Sequence, residues 1–368
     1  MAPEEAQQAV MDKTDVHGRH GANRIRQKLA REGVRIPRAQ IRDILYENAP
    51  LALDDRVPGR KKCLPRKALT ADGPFHEVSC DGHDKLGHLA LQMGVGLPIY
   101  GMRDKWSGAI LRLVVIPNNR TMMAIGHVYL DFVQEFGAIP IQITVDGGSE
   151  TGEMVLSQTT LRSIYTPALD LDKYPASKSL RSVHNTTIEG LWHFFREDQG
   201  YNFFDLVRKG ADDRIFNCNS KIHLDLFHWL WPPVIQRALD GFVDWWNNKP
   251  PRNQKGKLMP SGGGATPMDF LREPAAYGGE TLATPVPLDA VQKLRNAMEV
   301  SRDVALGWVS DDFADIAQRV YETRPSVLDS EVVPVREIPP ESVWDVFEEM
   351  LPGLLNSYQH IDPVLLTV

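Results

Sequence analysis

The chain has 368 residues, 42% of them hydrophobic, enough to bury a core shared among two or three folding units. No run reaches the roughly 18 uninterrupted apolar residues of a membrane helix, and MAPEEAQQAV has no apolar signal segment, so a soluble intracellular protein without membrane contact is expected. A net charge of −7 excludes a uniformly basic nucleic-acid binder. That average hides a gradient: +6 over residues 1–70, −5 over 71–250 and −8 over 251–368. A basic first segment suits contact with phosphates, and an acidic last one avoids them. Cys63, Cys80 and Cys218 form no C-x-x-C pair, which leaves them as core thiols.

In GRHGANRIRQKLAREGVRIPRAQIRDILYEN (18–48), Ile25 and Leu29 share one helical face, Gly33 breaks the pattern, and Ile41, Ile44 and Leu45 stripe a second helix. This is a helix-turn-helix outline within residues 1–53, with Arg38, Gln40 and Arg42 on the side that a recognition helix turns to a DNA groove. A small helical bundle with solvated arginines explains the same pattern, and both readings stay open. His17 and His20 read as surface residues. A polar, proline- and lysine-containing linker follows at 54–74.

The pattern then changes to strands: 75–82, 91–104 and 109–117, the last two joined by a turn at Lys105–Gly108. A helix over about 121–136 leads to the apolar run 139–145, a parallel strand because a helix has just crossed over. Three strands, a helix and another strand make a mixed α/β sheet, with Asp81 ending the first strand and Asp146 the fourth. Two neighbouring carboxylates repel unless a cation lies between them, and hard divalent ions take one or two carboxylates plus water and phosphate oxygens.

A third acid comes from SVHNTTIEGLWHFFRED (182–198), where Ile188, Leu191, Trp192 and Phe195 stripe a helix and Glu189 lies in its first turn. Thr186 to Glu189 also fits a capping box, which would employ Glu189 locally. The opening residues of QITVDGGSETG (142–152) carry the same ambiguity, since Asp-Gly is an ordinary turn signal.

The order Asp81, Asp146, Glu189 resembles the D, D, E arrangement of the retroviral integrase and DDE transposase superfamily. The strings CDGHDKL, GLPIYGMRDKWSG, VIPNNRTMMAIGHVYLDF, PIQITVDGGSETG and SVHNTTIEGLW, with WWNNKPPRNQ at 245–254, are similar to transposon-derived integrase-core proteins of fungi and some animals. The resemblance implies an RNase H-like core at 75–258, a mixed five-stranded sheet with helices on both faces. It implies that Asp81, Asp146 and Glu189 hold two Mg²⁺ or Mn²⁺ ions for DNA cleavage and joining, with Asn185 positioning Glu189 or touching the sugar-phosphate. Asn185 has a plainer reading as a helix N-cap. Gly147 and Gly148 would let the backbone leave the strand sharply beside Asp146. Lys85 is a candidate DNA contact. DNA as partner, self-association and residence in the nucleus, otherwise the cytoplasm, follow from the same resemblance, with Arg60, Lys61 and Lys62 as a small basic cluster.

The sequence departs from the pattern in two places. The 43-residue separation of Asp146 from Glu189 requires TPALDLDKYPASKSL (166–180) to loop out, and no His-His-Cys-Cys module precedes the core. The acidic balance of the core is unfavourable for gripping DNA, so a domesticated, catalytically silent DNA-binding or scaffold protein is the alternative; an RNase H-like nuclease is another. Asp84, Asp104, Glu150, Arg103 and Lys105 read as turn or solvated charges, and the tryptophans at 229, 231, 245 and 246 as core anchors. Residues 259–368 read as an acidic, mostly helical region available to a protein partner, after a glycine-rich break that lacks the Lys-Ser/Thr of a phosphate loop.

Overall fold

The computed structural model describes residues 2–14, 20–48, 70–180, 185–254, 258–327 and 332–359. It divides into two units, Met1–Lys67 with Trp192–Asp205, and Ala68–Leu191 with Leu206–Val368. His17, Cys63, Arg60, Lys61, Lys62 and most of the expected linker lie outside the described residues.

In the first unit the helices Pro3–Met11, Ala22–Arg31 and Arg38–Asn48 pool Ala6, Val10, Ile25, Leu29, Ile36, Ile41, Ile44 and Leu45 in one core. Gly33 ends the second helix at φ +77°, with Gly33 N–H donating to the Ala30 carbonyl and Val34 N–H to that of Leu29. A residue with a side chain is strained in that left-handed conformation, and the two bonds satisfy carbonyls the helix end would leave open. Arg38, Gln40 and Arg42 are exposed. The first helix was not foreseen, because Ala6 and Val10 alone are a thin stripe. His20 corrects the surface reading: it is 2% exposed, its Nδ1 2.9 Å from the Lys13 carbonyl and its Nε2 2.9 Å from that of Asp198. Asp198, buried in a π-helical turn at Arg196–Gly200, lies 2.6 Å from Arg24 Nε. Those partners are 178 residues apart, beyond the reach of any local pattern.

The second unit is built on β1 (Glu77–His83), β2 (Ile99–Asp104), β3 (Ile110–Val115), β4 (Ala138–Ile139), β5 (Gln142–Asp146), β6 (Ser177–Leu180) and β7 (Thr284–Pro285). Five of these form a mixed sheet in the order β3-β2-β1-β5-β6, antiparallel from β3 to β1 and parallel from β1 to β6. Val78, Cys80, Tyr100, Met102, Ile143 and Val145 face one way, into a core with Ile125, Tyr129, Phe132 and Val133 of the helix Met122–Phe136 and Met154 and Leu161 of the helix Gly152–Tyr165. Strand alternation leaves Glu77, Ser79, Asp81, Gln142, Thr144 and Asp146 on the opposite, polar face. β6 corrects the sequence reading of 166–180 as wholly looped out. Ser177–Leu180 is a strand without an apolar stripe, and its edge position explains the missing signal.

The other edge, β3, is closed by side chains instead of backbone. On the 27-residue helix Lys221–Asn247, the Asn247 amide accepts from Ile110 N–H and donates to Ile110 C=O, both at 2.8 Å, and the Gln236 amide pairs with Val115 N–H and Leu113 C=O. Trp231 and Trp245 of this helix are buried, as expected, whereas Cys218 just before it is exposed and corrects its assignment to the core. The later segments are anchored on the same unit: β7 pairs with β4, Val286 and Val291 enter the sheet's core, and Trp344 of the helix Val343–Gln359 donates to the Leu206 carbonyl at 2.8 Å. Among the described residues no helix is long and apolar enough to cross a membrane.

Candidate active site

The placement of the acids follows from strand register. β1 and β5 run parallel with Glu77 opposite Gln142, Val78 opposite Ile143 and Ser79 opposite Thr144. Continuing that offset by two residues sets Asp81 level with Asp146, on the same face because side chains alternate with period two. Thr144 Oγ1 donates to Glu77 Oε1 at 2.9 Å, which confirms the shared face one turn of the pleat earlier. The bonded ladder between the strands stops at Ser79 and Thr144, so the two acids lie where backbone pairing no longer ties β1 to β5. Asp81 therefore does not end its strand. β1 runs on to His83, paired with β2 alone, and the residue opposite Asp81 on β2 is Gly101, which has no side chain to fill the face. Asp81 is 8% exposed and Asp146, the last residue of β5, is half-buried.

Glu189 reaches this face on the helix Thr186–Phe195. Two contacts fix the start of that helix against the sheet: Asn185 Nδ2 donates to the carbonyl of Cys80, the residue before Asp81, at 3.2 Å, and Arg103 Nη1 on β2 donates to the Thr187 carbonyl at 2.6 Å. Glu189 N–H donates to Asn185 C=O at 3.1 Å, so Asn185 occupies the N-cap position and Glu189 comes one residue too late for the capping box expected at Thr186. The Asn185 side chain does not cap. It is 3% exposed, and its Oδ1 accepts no hydrogen bond among the described residues. An acceptor buried beside two acids without a donor is costly, and water or a ligand group with hydrogens to offer relieves it.

Electrostatics ties the acids together. Burial, then the charges of Glu150 and Glu189, push the Asp146 carboxyl above its usual value, against the opposing pull of Arg120. The Tyr100 phenol, held protonated mainly by burial, also senses Cys80, Asp81, Asp146 and Glu150. Glu150 is thus a fourth acid at the site, not a remote solvated charge. Its carboxylate lies over Gly148, and the end of that flexible side chain can swing aside. Gly148 itself is extended at φ −77°, a conformation open to any residue, so the sharp exit expected of it does not depend on its being glycine.

The residues that sequence reasoning missed are Asn119 and Arg120. Both bond the Asp84 carboxylate, and Gly82 leaves room for the Asn119 amide, which would stand 2.9 Å from a Cβ there. The string VIPNNR held them, but no spacing rule singled them out. Asp84 is therefore paired, and Lys85 beside it is exposed. Arg103, expected to be a scattered charge, is a structural anchor: besides Thr187 it bonds Gly108 C=O at 3.0 Å and its guanidinium lies 4.9 Å from the Trp246 ring centre. Asp104 is fully buried, its carboxylate accepting from Phe75 N–H, Ser107 N–H and Ser107 O–H at 2.6 to 2.8 Å. Arg38, Gln40 and Arg42 belong to the first unit.

Among the described residues, no three His, Cys, Asp or Glu side chains are arranged as a ready-made metal site. The donor chemistry nevertheless suits a hard cation. All the candidate ligands are carboxylate oxygens, burial and, after it, the neighbouring acids Glu150 and Glu189 raise the Asp146 pKa, and an ion such as Mg²⁺ needs only one or two carboxylates besides water and phosphate.

A five-stranded mixed sheet with helices on both faces and acids in register on its two central strands defines an RNase H-like core of the polynucleotidyl transferase type. Residues 79–260, just under half of the chain, match the family model described as integrase core domain, a match in keeping with the integrase and DDE transposase superfamily. No curated protein matches the chain.

Proposed function

We propose that the protein is a DNA integrase-like polynucleotidyl transferase in which Asp81, Asp146 and Glu189 hold two Mg²⁺ or Mn²⁺ ions. The observation that carries this reading is the register that sets Asp81 level with Asp146 on the face where the Glu189 helix is anchored. When bound, such ions supply Lewis acidity at the scissile phosphodiester and make water or a DNA 3′-hydroxyl a competent nucleophile. Asp81 and Asp146 offer oxygens from rigid strands, and Glu189 offers a third from the first turn of its helix. Asn185 holds that helix start beside Asp81, and its open Oδ1 accepts a hydrogen bond from bound water or a sugar hydroxyl. Arg120 and Lys85 supply positive charge for the substrate phosphates. Arg38, Gln40 and Arg42 are proposed to contact DNA from the first unit, and a nuclear, self-associating protein follows from the same reading.

A second reading, a silent DNA-binding scaffold, is favoured by the net charge of −5 over residues 71–250. Supercoiled-plasmid nicking and strand transfer with Mn²⁺ or Mg²⁺ decide between them. The enzyme reading expects metal-dependent products that fall by at least about 100-fold in Asp146→Asn. DNA binding by both proteins with no metal-dependent products supports the scaffold.

A further inference from the structure

Away from the acids, on the outer side of the helix Met122–Phe136, three arginines from three elements surround Asp131. Arg112 comes from β3, Arg295 from the helix Leu288–Ala297 and Arg302 from the helix Arg302–Leu306. Arg112 Nη2 lies 3.0 Å from the Asp131 carboxylate, Arg295 Nη2 2.6 Å, and Arg302 Nε and Nη2 2.9 and 3.0 Å. Arg112 Nη1 also bonds Glu135 at 2.9 Å, and Arg295 Nη2 reaches Gln134 at 3.2 Å. These residues line a pocket of about 650 Å³.

One feature exceeds what a structural clamp requires. Three guanidinium groups line the pocket with the two carboxylates of Asp131 and Glu135, and the third acid, Asp303, is exposed and meets only Arg302 among the described residues. Each arginine keeps an unused nitrogen. Arg112 Nε and Arg295 Nη1 are buried with no acceptor among the described residues, and Arg302 Nη1 has only an Asp303 oxygen at 3.9 Å. Arg295 is 9% exposed, so its open donors are not simply solvated. A buried donor without an acceptor costs about 1–3 kcal/mol, and three guanidinium forks arriving from separate elements suit a tetrahedral oxyanion better than a second carboxylate.

We infer that this pocket binds a phosphate group, coordinated by Arg112, Arg295 and Arg302 while Asp131 holds the three arginines in place. Occupancy ties residues 288–306 more firmly to the core helix, because a ligand held by the docked arginines stabilises the docked state. The inference is independent of any activity at the carboxylate site.

Calorimetric titration of the full chain, with thermal unfolding in parallel, tests it using inorganic phosphate and the diester dinucleotide TpT as probes. Saturable binding of phosphate, a raised unfolding temperature, and at least about tenfold weaker binding in Arg295→Gln are expected. Binding of phosphate but not TpT assigns the pocket to free or terminal phosphate; binding of both assigns it to the phosphate unit wherever it occurs; TpT alone assigns it to a nucleic-acid backbone. Because Arg295→Gln also removes a bond to Asp131, the more exposed Glu135→Gln serves as the second variant. Deleting a competing negative charge there should tighten binding about fivefold while the fold is kept. Absence of binding by either probe, binding indifferent to Arg295→Gln, or weaker binding in Glu135→Gln would overturn the inference.

Discussion

Replacing Arg103 with Met separates the stability of the core from the placement of Glu189. In the native protein the Arg103 guanidinium makes two charge-assisted bonds, to the Thr187 and Gly108 carbonyls, and stacks near Trp246. Such bonds contribute about 1.5–3 kcal/mol each, net of desolvation, and the stacking about 0.5–2. Burial of the guanidinium, which pulls the Arg103 pKa down to about 10, favours the low end of those ranges. The Gly108 carbonyl keeps a second donor in Trp246 Nε1, so the loss of one partner does not orphan it. The expectation for Arg103→Met is destabilisation by about 3 kcal/mol, small enough for the protein to remain folded. Urea unfolding followed by circular dichroism measures it. With the anchor at Thr187 gone, metal-dependent nicking should fall further than the loss of folded protein explains. Arg103→Lys, which offers a single ammonium for two diverging carbonyls, should lie in between. An Arg103→Met protein with the wild-type unfolding midpoint and full activity would refute the anchoring argument.

Two further expectations rest on buried carboxylates. Asp104→Ala removes the acceptor of three buried donors, Phe75 N–H, Ser107 N–H and Ser107 O–H, and should cost about 3 kcal/mol or more in the same unfolding assay. Burial alone would raise the Asp131 pKa, but the hydrogen bonds from Arg302 and Arg295 and the charge of Arg112 hold it below 3.8. A depressed folded-state pKa contributes stability that is present above 3.8 and lost as pH falls through the lowered value. The wild-type unfolding temperature should therefore drop across that acid range more steeply than that of Asp131→Asn, and parallel curves would contradict the assignment.

The helices and strands with a clear apolar period were legible in the sequence: β1, β3, the crossover helix, β5 and the Glu189 helix all lie near their expected places, whereas β2 begins only at Ile99, eight residues after the expected start at 91, and a short helix at His88–Leu91 precedes it. β6 was not legible, because SKSL sits at a sheet edge and buries no stripe. The three acids were chosen by residue type and order, and their register emerged only with the strand pairing, since an offset of 65 residues leaves no local trace. Long-range polar contacts were equally silent. His20 with Asp198, Arg103 with Thr187 and Asn247 with Ile110 each join residues more than 80 positions apart. Two adjacent glycines signal a turn, yet Gly148 keeps an ordinary extended φ of −77°, a backbone detail that residue type does not reveal.

The central claim is that Asp81, Asp146 and Glu189 share divalent cations. Anomalous diffraction from crystals grown with Mn²⁺ tests it most directly. The account predicts manganese density within about 2–2.5 Å of the Asp81 and Asp146 carboxylates, with Glu189 turned toward it, and none in Asp146→Asn. Manganese bound elsewhere, or no ordered ion at the end of β5 in saturating Mn²⁺, would contradict it.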